Sequence, residues 1–219
     1  MKLKDIMDPY IPFTLLCLPM VAMAMFRAPN YNWVYGVWFM STIFIGLWGL
    51  HSWDIMKGGY KNTPKSTLNM VGYVCVTIGV VAASILCVIV EPWCLIFITI
   101  GTMLGVLYNL ELLGGLLHHE LGGMITFGIS WCFIPVFCMS CLMGDFTISA
   151  FIFAIGWAVF CAGALLLYEA SKPTLHEVIP FIDNPGEGPD IRTTKLAIFK
   201  WVITTIIGFW IIVVALALG

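Results

Sequence analysis

The sequence predicts an all-α integral membrane protein of about seven transmembrane helices, and three observations lead there. The 219 residues are 61% hydrophobic and 10% charged, with a mean hydropathy of +1.00; an ordinary soluble domain is about 45–50% apolar and about 25% charged. The apolar residues fall into seven long runs, and nearly all the cations sort to one side of them. A soluble globule of this size has too little interior to hide so much apolar surface. Composition therefore excludes a cytosolic enzyme, a secreted disulfide scaffold and a disordered chain. A net charge of −2 offers no basic field, so nucleic acid is not an expected partner.

A membrane helix needs about 20 apolar residues. Runs of that kind occupy residues 10–26, 33–50, 68–90, 93–117, 121–143, 146–168 and 195–218. Ahead of the first, residues 1–9 carry two Lys and two Asp, and no small-residue cleavage pattern follows, so this run reads as a retained span. The second ends in a polar cluster, His51-Ser52-Trp53-Asp54. Only Glu91-Pro92 separates the third from the fourth. As one helix, residues 68–117 would be about 75 Å long, more than twice the bilayer core. Proline starts a helix well and cannot continue one, so the chain is expected to reverse there.

Gly114-Gly115 and Gly122-Gly123, between the fourth and fifth runs, permit a sharp turn or a close backbone approach. Cys138 and Cys141 form a CxxC inside the fifth run. Like the other six cysteines they lie in apolar sequence, where a thiol behaves as a small hydrophobe. The sixth run leads into residues 170–194, where Pro173, Pro180, Pro185 and Pro189 oppose one continuous helix and Asp183-Asn184-Pro185-Gly186 signals a turn. Long structureless stretches are commonly functional. This one reads as a cytoplasmic loop and candidate lid on a single transmembrane domain covering 1–219. The seventh run is uniformly apolar after Trp201, as expected of a face toward lipid or a partner subunit. Many of the nine Trp and seven Tyr sit near run ends, as interfacial belts do.

Seven spans put the N-terminus and the connections after spans two, four and six on one side. That side holds Lys2, Lys4, Lys57, Lys61, Lys65, Lys172, Arg192, Lys195 and Lys200, while Arg27 stands alone opposite. Such asymmetry marks the Lys-rich side, and the N-terminus with it, as cytoplasmic. The prokaryotic cytoplasmic membrane is the expected location.

The same side holds all four histidines and ten of the twelve carboxylates. Asp54, Asn109, Glu111 and Glu169 fall at or within helix ends rather than in loop centres. Polar groups at that depth are expensive and usually face a cavity or a partner. A polar cavity opening to the cytoplasm is therefore expected, with ordinary interfacial polarity as the plainer alternative.

Three stretches resemble the UbiA superfamily of intramembrane aromatic prenyltransferases. Residues 47–62, with Asp54, Lys57 and Gly58, are similar to its N-x-x-N-D-x-x-D-x-x-x-G pattern at the end of span two. Gly105-Val-Leu-Tyr-Asn109, followed by Gly122-Gly123, Gly128 and Ile134-Pro135, is similar to its G-x-x-Y-S segment and glycine-rich fifth span. Leu165-Leu-Leu-Tyr-Glu169, with the later Gly188-Pro-Asp-Ile-Arg-Thr-Thr-Lys-Leu-Ala197, resembles its second acidic motif and D-x-x-x-G-K-x-T-L. The resemblance implies Mg²⁺ held by Asp54 and Glu169, with Glu177 or Asp183 assisting. It also implies a prenyl diphosphate neutralised by Lys57, Lys172 and Arg192, substrate contacts from Tyr108 and Asn109, and an isoprenoid tail inside the bundle. Asp54 and Glu169, with Lys57, would then be the catalytic residues.

The first motif retains one carboxylate, and Lys57 or Gly58 stands where the family has its second. A scaffold without the metal clamp would serve as a lipid-binding or structural subunit among other membrane subunits. His51, His118 and His119 near one face leave a third reading, a haem or metal site. The twelve Met read as adaptable packing.

Overall fold

The computed structural model describes residues 11–58, 64–178 and 195–218, and within them it is helical, without strands. Helix α1 is Ile11–Arg27, α2 Trp33–Gly58, α3 Lys65–Val90 and α4 Cys94–Asn109. Helix α5 spans Glu120–Leu142, α6 Ile148–Val178 and α7 Lys195–Leu218. Among the described residues, five helices are long and apolar enough to cross a membrane, namely α2, α3, α5, α6 and α7. Two shorter apolar helices, Cys17–Arg27 and Cys94–Asn109, accompany them.

The reversal at Glu91-Pro92 is present. Helix α3 closes at Val90, Glu91 turns extended at φ −152°, and α4 begins at Cys94. Three boundaries differ from the sequence expectation. Helix α2 runs on from Leu50 to Gly58, which places Asp54 and Lys57 on its last turns. Helix α4 stops at Asn109 instead of reaching Leu117, because Glu111, Leu113, Gly114 and Gly115 all take positive φ. At 1.5 Å per residue its 16 residues cover about 24 Å, short of the bilayer core. Helix α6 continues past Ala170 and through Pro173 to Val178, so the first part of the expected loop is helix.

Helix α5 is the central element, packed against α1, α2, α4 and α6. Its middle turns, Thr126–Phe133, form a π-helix whose last bond runs from the Ile134 N–H to the Ile129 carbonyl. Pro135 follows immediately. A wide turn at that point relieves the clash between a proline ring and the preceding turn and lets the backbone bonds be remade.

Helix pairs α2–α3 and α6–α7 flank this centre through small residues. A Cβ on Gly79 would lie 2.9 Å from the Gly46 Cα, and one on Gly163 would lie 2.6 Å from the Thr205 nitrogen. Without a hydrophobic drive between helices in lipid, this close approach supplies the packing energy. The outer faces stay apolar and exposed, with Met70, Ile78, Ile85 and Ile89 on α3 and Leu196, Phe199, Ile207 and Trp210 on α7. That surface suits acyl chains and not water.

Side-chain contacts sort the helix ends into two groups. Arg27 at the end of α1 pairs with Asp145 at 3.5 Å and donates to Ser149 Oγ at 2.5 Å; Ser149 donates to the Ala215 carbonyl at 2.8 Å. This joins the ends of α1, α5 and α7 to the start of α6. At the opposite end, Lys57 meets Glu111, and Lys200 at the start of α7 pairs with Glu120 at the start of α5.

Candidate functional site

The end that carries Lys57 and Glu111 gathers most of the polar residues singled out in the sequence. On α2, His51 Nδ1 lies 3.5 Å from Asp54 Oδ2, one turn apart and facing the same way. One turn further on, Lys57 Nζ lies 3.7 Å from Glu111 Oε2. The other carboxylate oxygen of Glu111 is 4.0 Å from His118 Nε2. The break in α4 makes this possible: the left-handed backbone of Glu111, φ 50°, turns its side chain out of the helix line toward α2 and the His118 turn.

Tyr108 is the common neighbour. It is 3% exposed, with its ring 5.1 Å from the His118 ring and 5.5 Å from that of Phe127. Its phenol lies within electrostatic reach of Asp54, Glu169 and Glu111, which come from three separate segments of the chain. The structure thus brings Asp54, Lys57, Tyr108 and Glu169 to one end of the bundle. Asn109 is beside them and buried. Its Nδ2 donates to the Gly105 carbonyl at 2.7 Å, while its Oδ1 is buried with no partner among the described residues. An unpaired buried acceptor costs about 1–3 kcal/mol, so this atom is suited to receive a donor from outside the chain.

Below this cluster a small cleft of about 90 Å³ opens between α2, α3, α4 and α5. Phe39, Gly46, Leu50, Gly79, Gly101 and Ile134 line it. Leu50 precedes His51, and Gly101 lies two turns below Asn109, so the apolar cleft rises toward the polar cluster. Ser130, on the π-helix, spends its hydroxyl on the Gly101 carbonyl at 2.6 Å, which leaves the wall largely apolar.

Several expected members are elsewhere. The side chains of Lys172 and Glu177, and the whole of Asp183 and Arg192, lie outside the described residues, as does the loop beyond Val178. His119 is engaged in holding a helix end, where its Nδ1 accepts from the Gly122 N–H at 3.2 Å and caps α5. Glu111 is the residue that sequence reasoning placed in the cavity without giving it a role. Its signal was Gly114-Gly115 close behind it, which ends α4 early and frees the carboxylate.

Among the described residues, no three carboxylates or imidazoles bring their ligand atoms within 4.8 Å of one another; the one trio that does is made of cysteines. Magnesium is usually held by one or two carboxylates and completed by substrate phosphates and water. Separate single carboxylates on α2 and α6 fit that mode and do not fit an all-protein cage. Comparison with family models, with curated proteins and with solved structures gives no match. Fold and composition define the class, an all-helical membrane protein.

Proposed function

We propose that the chain is a UbiA-like protein of seven spans with a cytoplasmic N-terminus, in a prokaryotic cytoplasmic membrane. In this reading it binds a prenyl diphosphate and transfers the prenyl group to a lipid-soluble acceptor. The observation that carries it is the placing of His51, Asp54 and Lys57 on the last turns of α2 beside Glu111 and His118, at the head of an apolar cleft. The cleft is smaller than a typical small-molecule site, so a prenyl chain would have to part the helices around it, and its apolar wall suits an isoprenoid.

Asp54 and Glu169, with Glu177 and Asp183 from the adjoining segment, would hold magnesium. Bound there, magnesium supplies positive charge that stabilises a departing diphosphate. Lys57, exchanging Glu111 for a phosphate oxygen, places a cation beside the leaving group, and Lys172 and Arg192 add to it. Tyr108 presents a phenol at the boundary between polar head and apolar cleft. Asn109 Oδ1 accepts a donor from the acceptor substrate or from ordered water.

A second reading rests on the pairs themselves. Asp54 faces His51, and Glu111 faces both Lys57 and His118, so two carboxylates already have partners. That balance suits a lipid-binding or structural subunit that needs no metal.

Titration of the purified protein in nanodiscs with farnesyl diphosphate, with and without Mg²⁺, separates the two. The enzyme reading expects Mg²⁺-dependent binding that Asp54→Asn and Glu169→Gln abolish while thermal stability holds. Absence of binding by the wild type, or binding indifferent to Mg²⁺ and to both variants, would leave only the subunit reading.

A further inference from the structure

Away from the polar end, seven of the eight cysteines gather in two groups. Cys87, Cys138 and Cys141 neighbour Cys94, whose thiol faces the Cys138 carbonyl at 3.9 Å. The other group is tighter. Cys17 on α1, Cys132 on the π-helix of α5 and Cys161 on α6 bring their three sulfurs within 4.8 Å of one another. Their residues are 1%, 1% and 0% exposed. All three are free thiols, and among the described residues no carboxylate or imidazole shares the group.

We infer that Cys17, Cys132 and Cys161 form an all-sulfur site for a single thiophilic d¹⁰ metal ion, Zn²⁺ or Cu⁺. Three sulfurs each 2.3 Å from a central ion in one plane stand about 4.0 Å apart, which falls inside the 4.8 Å within which these three sulfurs lie of one another. Thiolate ligands without oxygen or nitrogen select soft ions over Mg²⁺ or Ca²⁺. Packing alone does not require the arrangement, since small apolar residues on three helices would fill the same space without aligning three sulfurs. The π-helix contributes as well: its wide turns shift the register of α5 at Cys132, and such turns recur at functional sites.

Charge and geometry bear differently on the two ions. Isolated thiolates are too costly in an apolar interior, so metal entry is coupled to release of the thiol protons. Three thiolates leave one net negative charge around Zn²⁺ and two around Cu⁺. Three-coordination suits Cu⁺, whereas Zn²⁺ ordinarily takes a fourth ligand. Both ions share the sulfur chemistry on which the site rests.

The test is metal analysis of protein purified from cells grown with added zinc or, separately, copper. The site expects one ion per chain, retained through a chelator wash, with Zn and Cu content naming the ion. Retention is expected to fall at least about tenfold in Cys132→Ala and Cys161→Ala, since loss of even an outer-shell partner costs about 10–100-fold. Cys75→Ala and Cys94→Ala should retain it. X-ray absorption of the wild type keeps the test independent of variant folding and should show a sulfur-only first shell. Protein without bound metal in both growths, a shell of nitrogen or oxygen, or metal lost in Cys94→Ala and kept in Cys132→Ala would each overturn the inference.

Discussion

Lys57 Nζ stands 3.7 Å from Glu111 Oε2, so the last turn of α2 is tied to the residue at which α4 breaks. The two side chains are 40% and 38% exposed. A pair so open to solvent contributes at most about 1 kcal/mol. Replacing Lys57 with Gln should therefore leave thermal stability almost unchanged. Affinity for farnesyl diphosphate should weaken about tenfold, the worth of one hydrogen bond to a charged group. Parallel melting and titration curves check both halves, and unchanged affinity would remove Lys57 from the site.

Asn109 offers a sharper separation of structure from binding. Its Oδ1 is buried without a partner, so Asn109→Leu removes an unsatisfied acceptor together with one hydrogen bond to Gly105. The two effects oppose each other, and stability should change by less than about 1 kcal/mol. Ligand binding should be lost. A variant that binds as well as the wild type would show that this oxygen faces no ligand.

Arg27 and Asp145 behave oppositely to Lys57 and Glu111, because burial changes the arithmetic. Their side chains are 12% and 4% exposed. Arg27→Met removes the cation beside the Asp145 carboxylate, to which the Thr147 hydroxyl still donates at 2.7 Å, and should cost about 3 kcal/mol. The double variant Arg27→Met with Asp145→Leu should recover most of that loss. Unfolding in SDS titrations measures both, and a small effect of Arg27→Met would mean that water reaches the pair.

Two glycines one helix apart should respond differently to the same change. A Cβ on Gly46 meets nothing within 4 Å, whereas one on Gly79 meets backbone at 2.9 Å. Gly46→Ala should be neutral or slightly stabilising, since alanine gains up to about 1 kcal/mol over glycine in a helix. Gly79→Ala has to push α2 and α3 apart and should cost about 1–3 kcal/mol. Equal melting temperatures for the two would contradict the close α2–α3 approach.

The seven-span reading places the two ends of the chain on opposite sides of the membrane. A cytoplasm-active reporter should work at the N-terminus and fail after Gly219, with the reverse for a periplasm-active one. Activity of the same reporter at both ends would mean an even number of crossings.

Local features of the sequence were enough for the all-helical class and for the reversal at Glu91-Pro92. The apolar runs became helices, Glu91-Pro92 separates α3 from α4, and Gly114-Gly115 lies in the left-handed turn that follows α4. Helix ends were less legible. Asp54 reads as the end of its span and Lys57 as lying beyond it, yet α2 runs on through both to Gly58, because a helix end at a membrane surface carries polar side chains at no cost. Pro173 looks like a helix stop, yet α6 passes through it.

By itself the sequence determined the solvent of this protein, because 61% hydrophobic and 10% charged residues admit only lipid around the helices. It also determined which side chains are costly enough there to need a reason. Only the tertiary structure decided which of them meet. Lys57 finds Glu111, and Cys17 finds Cys132 and Cys161, across sequence separations that no periodicity encodes. Helical period fixes the face on which a residue lies, but the helix that packs on that face is chosen by shape, through glycines such as Gly79 and Gly163 that let backbones touch.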